Sequence, residues 1–211
     1  MSDWPPAAAV EYLRGADPIL GAVIERVGPE PVARRIAERP AEHYGALVRS
    51  IVGQQLSTKA ARAIFIRLTD RFGGRPPTPA EVLAEDPEEL RAAAGLSRAK
   101  VTFLRSLAEH VLDGTLELER LDDLPDDQVI GELVAVKGLG LWTAQMFLMF
   151  HLERPDVLPV GDLGIRRAFM NEYRLPELPA PPAMEELAAP WRPWRTVACL
   201  YLWRSLDNTP V

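Results

Sequence analysis

The residues best placed to do chemistry are one carboxylate and one glycine turn. Asp162 lies twenty residues after Trp142 and follows the stiff run Leu158-Pro159-Val160-Gly161. Upstream, the run from Leu133 through Val134, Val136, Lys137, Gly138, Leu139 and Gly140 to Trp142, Thr143 and Ala144 reads as two helices joined by a tight turn. Gly138 and Gly140 leave the backbone uncovered, so main-chain N–H groups at the start of the second helix are open to an anion. An anion grip at a fixed distance from one carboxylate points to chemistry on a nucleic acid. Taken alone, Asp162 reads first as the cap of a helix beginning at Leu163, because Asp is a preferred cap residue. The two roles are compatible, since capping would hold the carboxylate still. The hairpin alone reads equally as an ordinary corner between packed helices.

The elements that must position these residues are helices throughout. Apolar residues recur at three- and four-residue spacing, and no stretch alternates with period two. The pattern predicts helices at Ala7–Arg14, Pro18–Val27, Tyr44–Gly53, Thr58–Phe72, Pro79–Ala84, Pro87–Ala93, Arg98–Asp113, Asp126–Val136, Leu141–His151, Leu163–Tyr173, Met184–Ala188 and Pro193–Leu206. Ser57, Ser97 and Asp86-Pro87 are start signals, and Gly73-Gly74 and Gly95 are stop signals. Four prolines between Leu175 and Pro182 read as a stiff linker.

The chain has 211 residues, enough for one sizeable core or one domain with two lobes. Its single cysteine, Cys199, excludes an intrachain disulfide and an iron–sulfur cluster held by this chain alone. Met1 to Pro6 lacks a basic region followed by an apolar core, so no secretion signal is expected. The longest apolar run, near Thr143 to Phe150, is too short to span a bilayer, so a cytoplasmic protein without membrane partners is expected. His43, His110 and His151 show no ligand spacing, and no zinc site is assigned. The net charge is −6. Basic residues nevertheless concentrate at Arg98, Lys100 and Arg105, at Arg166 and Arg167, and at Arg192, Arg195 and Arg204. A basic face with few phosphate contacts is the expectation.

Four motifs, in order, resemble the helix-hairpin-helix DNA glycosylase superfamily, in its 3-methyladenine DNA glycosylase II branch. They are Ile51-Val52-Gly53-Gln54-Gln55-Leu56-Ser57, Ala94-Gly95-Leu96-Ser97-Arg98-Ala99-Lys100, the Val136–Ala144 hairpin with Pro159–Arg166, and Trp191-Arg192-Pro193-Trp194-Arg195 through Trp203-Arg204. The resemblance covers nearly the whole chain. It implies an all-α, two-lobed fold with the active cleft between lobes and no N-terminal β-domain. One lobe would be 1–43 plus 151–211. The other would be 44–150, with the helix-hairpin-helix at 126–151.

The resemblance also assigns roles. Asp162 would stabilise the oxocarbenium-like transition state of glycosidic cleavage and orient water. Trp142 stands where strand-cutting members carry a Schiff-base lysine, so a monofunctional enzyme is implied. Gln54, Gln55 and Leu56 lie in the segment that fills the gap left by a flipped base, with Gln55 the best placed. Gly138, Gly140 and Thr143 would hold a phosphate, and Gly138→Val is expected to weaken DNA binding more than stability. The carbonyls of Val134, Val136 and Leu139 match a monovalent-cation site for Na+ or K+. No other cofactor is implied. Trp142 and Trp203 would face a cationic alkylated base, a contact worth about 0.5–2 kcal/mol. Met146 and Leu163 stand where relatives can carry tyrosines, so the pocket would be wider or less aromatic, a departure open to two readings: admission of other lesions such as 1-methyladenine or 3-methylcytosine, or preference for already labile cationic bases. The expected partner is damaged double-stranded DNA, bound by a monomer. The alternatives are a glycosylase for oxidised or deaminated bases and a non-catalytic DNA-binding module.

Overall fold

The computed structural model describes residues 6–28 and 42–207. Met1–Pro5, most of the stretch in which no secretion signal is expected, lie outside them, as do 29–41 within the expected first lobe. The described residues form helices and turns, with no strand among them. No described helix is long and apolar enough to cross a membrane.

The chain divides into two compact units, 1–38 with 148–211, and 39–147. The first holds α1 (Ala7–Ala16), α2 (Pro18–Val27), and, after the second unit, α10 (Leu163–Glu172), α11 (Pro181–Leu187) and α12 (Arg195–Asp207). The second holds α3 (His43–Gly53), α4 (Thr58–Arg71), α5 (Pro79–Ala84), α6 (Pro87–Ala94), α7 (Arg98–Leu112) and α8 (Asp126–Ala135). The units divide at 38/39 and, inside α9 (Leu141–Phe150), at 147/148, against sequence-based limits of 43/44 and 150/151. Its C-terminal end sits with the first unit, where the Phe150 ring stacks on Trp203 with centroids 5.8 Å apart.

Local chemistry explains most boundaries. The Ser57 side chain accepts from Ala60 N, Ser97 from Lys100 N, and Asp86 from Glu88 and Glu89 N, each at the start of its helix. Thr78 and Glu81 form a reciprocal capping box on α5. Gly95 ends α6 in the left-handed conformation. The largest departure is α11, which starts at Pro181 rather than Met184. The first helical turn tolerates proline, having no N–H to contribute there anyway, so two of the four prolines read as linker open a helix.

In the first unit, α12 packs against α1, α2 and α10. Its centre is a polar knot around Asp17, a carboxylate only 8% exposed. Asp17 caps α2 by accepting from Ile19 N and Leu20 N. Its other oxygen accepts from the Trp191 indole N–H at 2.9 Å and from the Tyr173 hydroxyl. A buried carboxylate is tolerable only with such a set of donors. In the second unit, α7 packs against α3, α5 and α6, and α4 bridges α3 and α6.

Candidate functional site

The hairpin joins α8 to α9. Leu139 N donates to Val136 O at 3.0 Å, closing a turn with Lys137 and Gly138 at its centre. Gly138 has φ +95°, as the third position of a type II turn requires. A Cβ there would lie 2.1 Å from Cγ of Phe103, whose ring is packed beneath the turn. The expectation for Gly138→Val is therefore corrected: the substitution strikes the fold directly, through both sterics and backbone strain. Gly140 is different. Nothing lies within 4 Å of an added Cβ, and the residue is exposed. It opens α9, whose first N–H groups have no partner within the helix.

Thr143 is only 5% exposed, and its hydroxyl lies 3.5 Å from the Gln54 amide nitrogen. The same Gln54 amide donates to Gly138 O at 2.7 Å. Both side chains were expected at DNA. The structure ties Gln54 to the hairpin through Gly138 O, beside the buried Thr143. Gln55, by contrast, is exposed and stands at φ +56°, a left-handed conformation unusual outside glycine. Leu56 beside it is 39% exposed.

Val134 lies in the last turn of α8, where carbonyls lack helical partners, and Val136 and Leu139 follow in the turn. Of these three carbonyls, Val136 O accepts the Leu139 N–H that closes the turn. On α9, Trp142 is 48% exposed, and Met146 is one turn further along the same face.

The first unit carries the carboxylate. Asp162 is the cap of α10: its Oδ1 accepts from Ile165 N at 2.8 Å and from the Trp203 indole N–H at 2.9 Å. Capping and fixation of the carboxylate are thus one arrangement. Its charge reaches the interior of the unit, where burial first, and Asp162 second, push the Cys199 thiol above its usual range. Leu163 is 48% exposed beside it. Phe150 backs Trp203 on its ring face. Gly164 lets these groups meet. A Cβ there would stand 3.0 Å from Asp162 Oδ1 and 3.1 Å from both Cδ1 and Nε1 of Trp203.

The basic clusters read from the sequence are mostly consumed by the fold. Arg105 donates to the carbonyls of Val82, Leu83 and Glu85, at the end of α5. Arg166 donates to Pro179 O, Arg192 pairs with Asp156, and Arg195 pairs with Asp156 and Glu185. Lys100 is buried. Guanidinium forks suit carbonyl clusters at helix ends, which spacing along a sequence does not reveal. The exposed cations nearest the loop and the turn in sequence are Lys59, in the first turn of α4, and Lys137. A groove of about 500 Å³ beside Lys137 is lined by Arg91, Arg98 and Glu88 among others, but Asp162 and Trp203 are not part of it.

Sequence reasoning missed Gly164, Phe103 and the burial of Lys100. One signal was present for Gly164: glycine in a helical turn costs about 1 kcal/mol relative to alanine, so its position two after Asp162 called for a steric reason.

The family described as HhH-GPD superfamily base excision DNA repair protein matches residues 48–193, and the chain belongs to that family. DNA-3-methyladenine glycosylase 1 of Schizosaccharomyces pombe is 35% identical over 196 residues, 92% of this chain and 85% of that one. The solved structure of the S. pombe 3-methyladenine DNA glycosylase in complex with abasic DNA aligns with a TM-score of 0.83 at 33% identity, over 95% of this chain and 97% of that one. A DNA-3-methyladenine glycosidase from Bacillus halodurans gives 0.82 at 37% identity, over 99% and 92%.

Proposed function

We propose that this protein is a monofunctional DNA glycosylase that hydrolytically removes alkylated bases from double-stranded DNA, acting as a monomer. The observation that carries the reading is Asp162, a helix-capping carboxylate locked by an indole N–H and a backbone N–H. The relatives named 3-methyladenine glycosylases support the substrate class.

Alkylation at purine N3 or N7 makes the base cationic and weakens its bond to C1′. When that bond breaks, its electron pair leaves with the base and positive charge grows on the sugar. A carboxylate already oriented by two donors stabilises that charge without reorganising. Water then adds at C1′ and gives up its proton to the Asp162 carboxylate, which passes it to solvent, leaving an abasic sugar. An exposed indole such as Trp142 suits the cationic base face. With Trp142 in the lysine position, no amine is supplied there for a Schiff base. Amides at the start of α9 would hold one phosphate, and Lys59 and Lys137 would add charge without reading sequence. Gln55 would enter the stack as the base leaves it. A Na+ or K+ ion on the carbonyls of Val134, Val136 and Leu139 would add positive charge next to that phosphate.

Single-turnover base release from duplexes carrying 3-methyladenine, 7-methylguanine, 1-methyladenine or uracil tests this reading. Release of methylated purines, with no borohydride trapping of protein on DNA, is expected. Asp162→Asn keeps a competent cap and its fold, and loses at least about 100-fold in rate. Wild-type rates in that variant would overturn the assignment. Binding without release from any duplex would instead indicate a DNA-binding module.

A further inference from the structure

We propose that Lys100 is a positioning residue for base flipping: through the Val52 carbonyl it fixes the loop that carries Gln55. The proposal rests on the reading of Gln55 as the inserted wedge.

The last carbonyls of a helix lack partners within it. At the end of α3, Gln54 N donates back to Ile51 O and Leu56 N to Gly53 O, both at 3.3 Å. Val52 O, between them, accepts from Lys100 Nζ at 2.7 Å. Lys100 is 9% exposed, and among the described residues its side chain makes this one hydrogen bond and no ion pair. Burial lowers the pKa of its ammonium, the cost of keeping a cation away from water. The amine donates in either protonation state, so the contact survives deprotonation. Ser97, which caps α7 onto Lys100 N at 3.2 Å, steadies the backbone from which Lys100 reaches.

The loop has a second fastening on its other side, the Gln54 amide on Gly138 O. Immediately after these two fastenings, at Val52 and Gln54, Gln55 stands at φ +56° with an exposed side chain. An L residue leaves that conformation unless its surroundings enforce it. Removing the Lys100 donor strips Val52 O of its cap, loosens the end of α3 and lets Gln55 relax. Phosphate contacts at the hairpin are untouched. The expected signature is slower flipping at unchanged affinity.

The test uses the full chain and a duplex with 7-methylguanine next to 2-aminopurine, whose fluorescence rises when its neighbour unstacks. Wild type, Lys100→Met, Lys100→Arg and Gln55→Ala are compared by stopped flow, single-turnover release and equilibrium binding. Lys100→Met should slow flipping and release about tenfold, because a displaced reacting geometry costs rate steeply. Its Kd should stay within about twofold, since phosphate contacts set affinity. Lys100→Arg, which keeps a donor, should recover most of the rate. Should Lys100→Met lose its cooperative melting transition, Lys100→Ala, which also lacks a donor, replaces it in the same comparison. Normal flipping in the Lys100 variant with slow flipping in Gln55→Ala overturns this proposal and leaves the wedge standing. Normal flipping in Gln55→Ala overturns both. Parallel loss of rate and affinity without recovery by arginine makes Lys100 merely structural and also overturns the proposal.

Discussion

Gly164→Ala separates stability from catalysis and tests how tightly Asp162 is held. Ordinary van der Waals contact begins near 3.4 Å, whereas the new Cβ would meet Asp162 Oδ1 at 3.0 Å and Trp203 Cδ1 and Nε1 at 3.1 Å. The neighbours must therefore yield by 0.3–0.4 Å, the difference between those distances. The Trp203–Asp162 hydrogen bond, at 2.9 Å, lies directly beside the intruding atom. A displacement of about 1 Å in a catalytic constellation costs on the order of 100-fold. Scaled log-linearly, a shift of this size costs about fivefold in the single-turnover rate. Stability moves differently. Alanine gains up to about 1 kcal/mol over glycine in a helix, against crowding of about 1 kcal/mol or more. The net change in Tm should stay within about 4 °C. Base release, Tm and DNA affinity are measured on Gly164→Ala, Trp203→Phe and the double variant. If the alanine acts by displacing Trp203, the two effects will not add. An unchanged rate in Gly164→Ala would refute the coupling. So would a rate loss matched by a collapse in Tm, because the defect would then lie in packing.

Three further predictions follow from the packing. Gly138→Ala should destabilise by about 3 kcal/mol, from left-handed strain plus overpacking on Phe103, while Gly140→Ala should melt like wild type and change only DNA affinity; calorimetry with binding titrations separates the two sites. Asp17→Asn places an amide donor against the indole N–H of Trp191 and should cost about 2–3 kcal/mol, read in urea denaturation. The Tyr173 hydroxyl on Asp17 has its pKa raised from 10.0, by burial first and by the Asp17 hydrogen bond second. Both folded and unfolded chains carry the neutral phenol below pH 10.0, and above it only the unfolded chain ionises readily. Stability should therefore fall as pH rises past that value, and fall less steeply in Tyr173→Phe.

Much of the fold was legible in the sequence because it rests on local physics. Three-to-four periodicity located the helices, and Ser57, Ser97 and Asp86 fixed starts through hydrogen bonds spanning two or three residues. Asp162 could be read as both cap and carboxylate because capping is settled within one helical turn. The hairpin's need for glycine at Gly138 was also local, a matter of φ.

What the sequence left undecided are the consequences of distant atoms meeting. Periodicity marks a face of a helix but not what lies against it. Hence Gly138→Val looked like a binding variant until Phe103 appeared beneath the turn. That Gln54 donates to Gly138 O, eighty-four residues away, could likewise not be read from its place after α3. The clustered arginines suggested a binding face, yet Arg105, Arg166 and Arg195 spend their donors on carbonyls and carboxylates of their own unit. Tertiary structure alone decided that Trp203 holds Asp162, because residues forty-one apart come within hydrogen-bonding distance only after α12 packs on α10. Local hydrogen bonding and backbone sterics are written in neighbouring residues. The pairing of buried polar groups is fixed only when packing brings them together, since each must find whichever partner the core leaves within reach.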